Sequence, residues 1–63
     1  MTLIREIFNR DGTLRARIYS SGDRLECYDA SGRLVAIYHK GMDETRDASG
    51  SFVGRGDLML TCI

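Results

Sequence analysis

The residues of this chain that could carry chemistry are few and scattered. A single histidine, His39, stands near Lys40, Asp43 and Glu44, the one place where acid–base work could be assembled. Cys27 and Cys62 are the only thiols. Without an export signal they are expected to stay reduced and to act as small hydrophobes. One histidine and no Cys-x-x-Cys spacing provide no zinc ligand set. Asp11, Asp23, Asp29, Asp43, Asp47 and Asp57 fall at expected turns, and none begins the alternating carboxylate run, closed by a glutamate, that a calcium loop needs. Arg55-Gly56-Asp57 has the composition of an integrin-binding tripeptide, which means little outside an extracellular context. Arg15, Arg17, Arg24 and Arg33, with Tyr19 and Tyr28 nearby, form a candidate binding face for single-stranded nucleic acid or an acidic protein. There is no Gly-x-Ser-x-Gly elbow and no phosphate-cradling loop, so neither catalysis nor a cofactor is expected.

Bulk properties narrow the field further. Nine acidic and nine basic side chains cancel over 63 residues. That balance removes the positive field on which nonspecific nucleic-acid binding depends, so nucleic acid is not the favoured partner. No apolar run approaches the roughly 18 residues of a membrane span, and no signal-peptide pattern follows Met1. The expectation is a cytoplasmic protein with no membrane partner. A chain this short forms a single domain, residues 1–63, with a marginal core.

The elements that must position these residues are announced by a repeat. Phe8-Asn9-Arg10-Asp11-Gly12-Thr13-Leu14-Arg15-Ala16 recurs as Tyr28-Asp29-Ala30-Ser31-Gly32-Arg33-Leu34-Val35-Ala36, and again, decayed, as Arg46-Asp47-Ala48-Ser49-Gly50-Ser51-Phe52-Val53-Gly54. In each unit Asn9, Asp29 or Asp47 leads, Asp11, Ser31 or Ser49 stands third, and Gly12, Gly32 or Gly50 closes. That pattern predicts a type I turn ending in a left-handed glycine, the three-residue hairpin loop. Period-two alternation on either side predicts strands over 2–8, 13–19, 24–28, 33–39, 42–46, 51–55 and 57–62. The fold class is all-β, with about seven short antiparallel strands. The hairpin units are about 3–22, 23–41 and 42–56, followed by a terminal strand, 57–63.

Ala16, Ala36 and Gly54 occupy one repeat position, which implies a crowded place, and Leu14, Leu34 and Phe52 stand two residues earlier, read as lying on the same face. A flat sheet would leave one face bare, so three or four hairpins arranged radially, as a small flower or mini-propeller, are expected. The segment [Phe/Tyr]-[Asn/Asp]-x-[Asp/Ser]-Gly-x-Leu-x-Ala resembles the unit of the small bacterial four-fold β-flower domain. Tyr28-Asp29-Ala30-Ser31-Gly32-Arg33-Leu34 also resembles the YD repeat of Rhs-type shells. The first resemblance implies a free-standing bacterial or phage protein with no activity and no functional residue to transfer. Arg46 departs from it by replacing the aromatic residue.

Leu58-Met59-Leu60-Thr61-Cys62-Ile63 is apolar on both faces, unlike every other strand. Such a strand needs cover on both sides. The expectation is therefore a non-enzymatic structural or protein–protein interaction module that self-associates through Leu58, Met59, Leu60, Cys62 and Ile63, with a dimer favoured. The alternative is a binding module that uses the arginine–tyrosine face.

Overall fold

A computed structural model describes residues 1–63. Six strands follow one another as β1 (Thr2–Phe8), β2 (Leu14–Ser21), β3 (Arg24–Asp29), β4 (Leu34–His39), β5 (Glu44–Asp47) and β6 (Phe52–Arg55). They form one antiparallel sheet in the order β1-β2-β3-β4-β5-β6. The first and last strands do not meet. The sheet is open, and the molecule is a slab of 34 × 21 × 17 Å rather than a radial flower.

The three repeated turns are superimposable in their hydrogen bonding. Gly12, Gly32 and Gly50 have φ of 88°, 90° and 91°. Their amides donate to the carbonyls of Asn9, Asp29 and Asp47 at 3.0 Å in every case. A left-handed glycine at this point lets the two strands leave the turn in register. The connection between β2 and β3 is a two-residue turn led by Gly22 at φ 63°. Between β4 and β5, Asp43 adopts φ 53°, a conformation that aspartate tolerates better than most residues. That left-handed residue ends the turn and delays β5 to Glu44, so Met42 and Asp43 lie outside the strand expected at 42–46.

Each hairpin also carries a second irregularity, and it reassigns the faces. Ile7 pairs with Ala16, but Phe8 pairs with Leu14, leaving Arg15 as an extra residue. Likewise Cys27 pairs with Ala36 and Tyr28 with Leu34, and Thr45 pairs with Gly54 and Arg46 with Phe52. Consecutive residues of the unbulged strand point to opposite faces, and directly paired residues share one. Ala16, Ala36 and Gly54 therefore face one side of the sheet, and Leu14, Leu34 and Phe52 face the other. The single bulged residue shifts the phase of the alternation by one.

The seventh strand does not form. After β6 the chain reverses, and Met59–Cys62 makes a short 3-10 helix, η1, packed across β4 and β5. This segment covers the face that a flat sheet would otherwise leave bare, so no ring closure is required. Met59 is fully buried, in one cluster with Ala16, Ile18, Cys27 and Ala36. The small residues exist to admit it. A Cβ built on Gly54 would stand 2.5 Å from Leu58 Cδ1. The crowding read from the sequence is real, and its source is the C-terminal segment rather than a common axis.

Buried Thr45 directs the reversal. Its hydroxyl donates to the Gly56 carbonyl at 2.7 Å and accepts from the Leu58 amide at 2.9 Å. The Thr61 amide and hydroxyl then close on the Leu58 carbonyl at 3.0 and 2.6 Å. At the far end the Arg15 guanidinium donates to the Ile63 carbonyl at 2.8 Å. Replacing Met59 with alanine empties the centre of a core that has only five buried hydrophobic residues. Met59→Ala is expected to lower unfolding free energy by about 2–5 kcal/mol, and Met59→Leu by less than about 1.5 kcal/mol. Urea denaturation of both variants checks this.

Candidate functional site

The face opposite η1 is the larger open surface, and most of the charged candidates converge there. Glu6, Arg17, Tyr19, Arg24, Glu26, Tyr28, Ile37, Glu44 and Arg46 share it by register. Every glutamate on it holds an arginine: Glu6 with Arg17 at 3.1 Å, Glu26 with Arg24 at 2.9 Å, and Glu44 with Arg46 at 3.0 Å. Only the first pair crosses between strands; in the other two, both residues lie two apart on one strand. Glu26 is 5% exposed, yet its carboxylate also accepts the Tyr28 hydroxyl at 2.9 Å, so no buried polar atom is left unpartnered. That hydrogen bond to a carboxylate holds the Tyr28 phenol above its usual range, because it favours the protonated form. Tyr19 meets Tyr28 edge-to-face, with ring centroids 5.5 Å apart.

A row of larger side chains runs beside the charged one. Phe8 stands opposite Leu14, and Tyr28 opposite Leu34. In the third hairpin Arg46 stands opposite Phe52, and its guanidinium carbon lies 5.8 Å from the ring centroid. The aromatic partner has moved from the first strand of the hairpin to the second, and a cation–π contact replaces an aromatic–aliphatic one. The departure at Arg46 is thus compensated within its own pair.

The four arginines expected to form one binding face are not equivalent. Arg17 and Arg24 lie on the open face, each neutralised by a glutamate. Arg15 is the bulged residue of β2 and is engaged by the C-terminal carbonyl. Arg33 is an exposed turn residue whose backbone amide donates to Asp29. A groove of about 230 Å³ beside the tyrosine pair is lined by Met1, Arg17, Tyr19, Tyr28, Asp29 and Gly32. Its charged side chains are Arg17, already paired with Glu6, and Asp29.

Of the acid–base grouping, His39 and Glu44 stand directly opposite one another, but the carboxylates are engaged by other partners. His39 lies between Arg24 and Glu44 in the ladder. Glu44 is bound to Arg46, and the Asp43 carboxylate accepts the Tyr38 hydroxyl at 2.7 Å. Arg55-Gly56-Asp57 is the reversal into η1: the Gly56 amide donates to the Asp43 carbonyl at 2.7 Å, and the Asp57 carboxylate accepts the Met59 amide at 3.2 Å. No three or more His, Cys, Asp or Glu side chains gather as a metal cluster would, and no helix is long and apolar enough to cross a membrane.

The turn carboxylates have structural partners. Asp29 Oδ1 accepts from the Ser31 amide and hydroxyl at 3.0 and 2.6 Å and from the Arg33 amide at 3.0 Å. Asp47 repeats this with Ser49 and Ser51. In the first turn Asn9 leads instead, and Asp11 accepts the Thr13 amide and hydroxyl at 3.0 and 2.6 Å. The hydroxyls foremost, and then the amides, hold Asp11, Asp29 and Asp47 below the ordinary 3.8.

The expected C-terminal interface lies mostly inside the molecule. Met59 is fully buried, while Leu58, Cys62 and Ile63 are half-buried against their own sheet; Leu60 is exposed. The second apolar side found its cover within the chain. Exposed apolar residues lie on both edge strands: Phe52 and Val53 on β6 are 53% and 36% exposed, and Leu3, Ile4 and Phe8 on β1 are 44%, 54% and 55% exposed. Neither the repeat nor the alternation signalled these edges, because edge status depends on strand order. Comparison with protein-family models, curated proteins and solved structures finds no match to this chain.

The lowered turn carboxylates make stability depend on pH with a definite sign. The folded chain binds these protons less readily than the unfolded one, so their contribution is complete above the unfolded value near 3.8 and is lost as pH falls through the lowered folded values. Melting followed by circular dichroism is expected to weaken below about pH 5. Asp29→Asn with Asp47→Asn, which keeps an oxygen acceptor at each turn but removes the titrating carboxyl, is expected to shallow that decline. Equal acid sensitivity in both proteins would contradict the assignment.

Proposed function

We propose that this chain is a non-enzymatic protein–protein interaction module that pairs with a second copy of itself through the free edge of β1. The observation that carries this reading is the seven-residue strand with one neighbour, β2, and three exposed large hydrophobics. Its outer backbone groups are a template for another strand. Arg5 and Glu6 blunt this edge, and the irregular pairing between Leu3 and Arg5 bends it. Those features select against indiscriminate partners while leaving the Leu3–Ile4 end apolar.

A second copy suits the charge as well as the shape. The formal net charge is zero, so two copies approach without long-range repulsion. A two-fold axis at Arg5 or Glu6 would set like charges opposite one another, whereas an axis at Ile4 sets isoleucine against isoleucine and arginine against Leu3. The earlier expectation of self-association through residues 58–63 loses its main support, because η1 already has cover. The arginine–tyrosine face is the weaker reading, because Arg17 and Arg24 are paired with glutamates and the adjoining groove contains Asp29.

Light scattering over a tenfold concentration range tests the proposal. A dimer in the parent chain that becomes a monomer in Ile4→Lys, with the far-ultraviolet spectrum unchanged, is the expected result. A parent that is monomeric throughout, or a dimer indifferent to Ile4→Lys, would refute it.

A further inference from the structure

The two thiols are brought toward one another by the path of the C-terminal segment. Leu58 rests on Gly54 of β6, and the Ile63 carbonyl is held by Arg15 of β2. Between those anchors the chain must pass over β3, where Cys27 points to the same face as Ala36 and is fully buried. Cys62 packs against the cluster that contains Cys27, and both thiols are free. Cys27 has no cover on this face apart from the crossing segment and its sheet neighbours. The geometry points to a reversible Cys27–Cys62 disulfide that locks the C-terminal segment onto the sheet. Consistent with their closeness, the Cys27 thiol is pushed upward by burial and then by the neighbouring Cys62.

A small disulfide such as oxidised glutathione is the natural oxidant class. The half-buried Cys62 reacts first: its thiolate attacks one glutathione sulfur, forming a mixed disulfide and releasing one glutathione thiolate. Cys27 then gives up its proton and attacks the Cys62 sulfur, releasing the second glutathione. The protein dithiol is oxidised by two electrons, and one glutathione disulfide is reduced to two thiols. Because the Cys27 thiol is held protonated, the second step accelerates as pH rises.

The bond would tie the centre of the sheet to the segment that covers it, closing a long loop. The full chain, incubated with oxidised glutathione, is expected to lose both free thiols and to finish lighter by two hydrogens with no glutathione attached. Its melting temperature is expected to rise by about 10 °C and to return on reduction. Cys27→Ser should instead stop at the glutathione adduct on Cys62 and show no such rise. Stable mono-glutathionylation of the parent chain, or cross-linking only between chains, would overturn the proposal. So would a melting temperature unchanged after intramolecular oxidation. None of these readouts depends on the β1 edge, so the two proposals fail separately.

Discussion

The structure depends on the burial of Met59 in a bed of small side chains. A six-stranded meander has two faces and, in 63 residues, nothing but its own tail to cover either. Ala16, Cys27, Ala36, Thr45 and Gly54 keep the inner face low enough for one 3-10 turn to lie flat against it. Larger residues there would hold the turn away and leave apolar surface wet. The Thr45 hydroxyl contributes the other half of the arrangement. By both donating to and accepting from the chain just after β6, it turns a potential seventh strand back over the sheet.

Hairpin geometry makes that bed possible. Each unit combines a left-handed turn glycine with a bulged residue further along its second strand. The bulge separates small from large: Ala16, Ala36 and Gly54 go inward, while Leu14, Leu34 and Phe52 go outward beside Phe8, Tyr28 and Arg46. The outer face is thereby a surface of compensated pairs, arginine on glutamate and aromatic on aliphatic or guanidinium. Arg55, opposite Glu44 at the far edge, is the strand arginine of this face in no ion pair. The unpaired backbone of the sheet lies at its two edges, β1 and β6, of which β1 is the longer, at seven residues against four.

Strand existence was legible in the sequence to within a residue or two for all six strands, because glycine-closed turns and period-two alternation are local signals. The turn chemistry was legible in detail: Asn9, Asp29 and Asp47 stand where the three turns need them. The bulges were not, since Arg15, Val35 and Val53 have nothing distinctive in their side chains and reveal themselves only through the partner strand. Reading straight alternation through them placed Leu14 on the face of Ala16. The C-terminal segment was misread for a related reason. Leu58-Met59-Leu60-Thr61-Cys62 has the composition of a buried strand, but Thr45, thirteen residues before Leu58, decides its course. Among the candidate site residues, Arg17 and Arg24 share a face as expected, while Arg15 and Arg33 serve the tail and a turn.

The central claim is that sheet and C-terminal turn form one cooperative unit, neither stable without the other. Native-state amide hydrogen exchange, measured residue by residue, tests it most directly. The account predicts that the Leu58 and Thr61 amides exchange with nearly the same opening free energy as the inner-strand amides of Cys27 and Ala36. Fast exchange at Leu58 and Thr61, with full protection retained in β2, β3 and β4, would show that the sheet stands without its cover and would contradict the account.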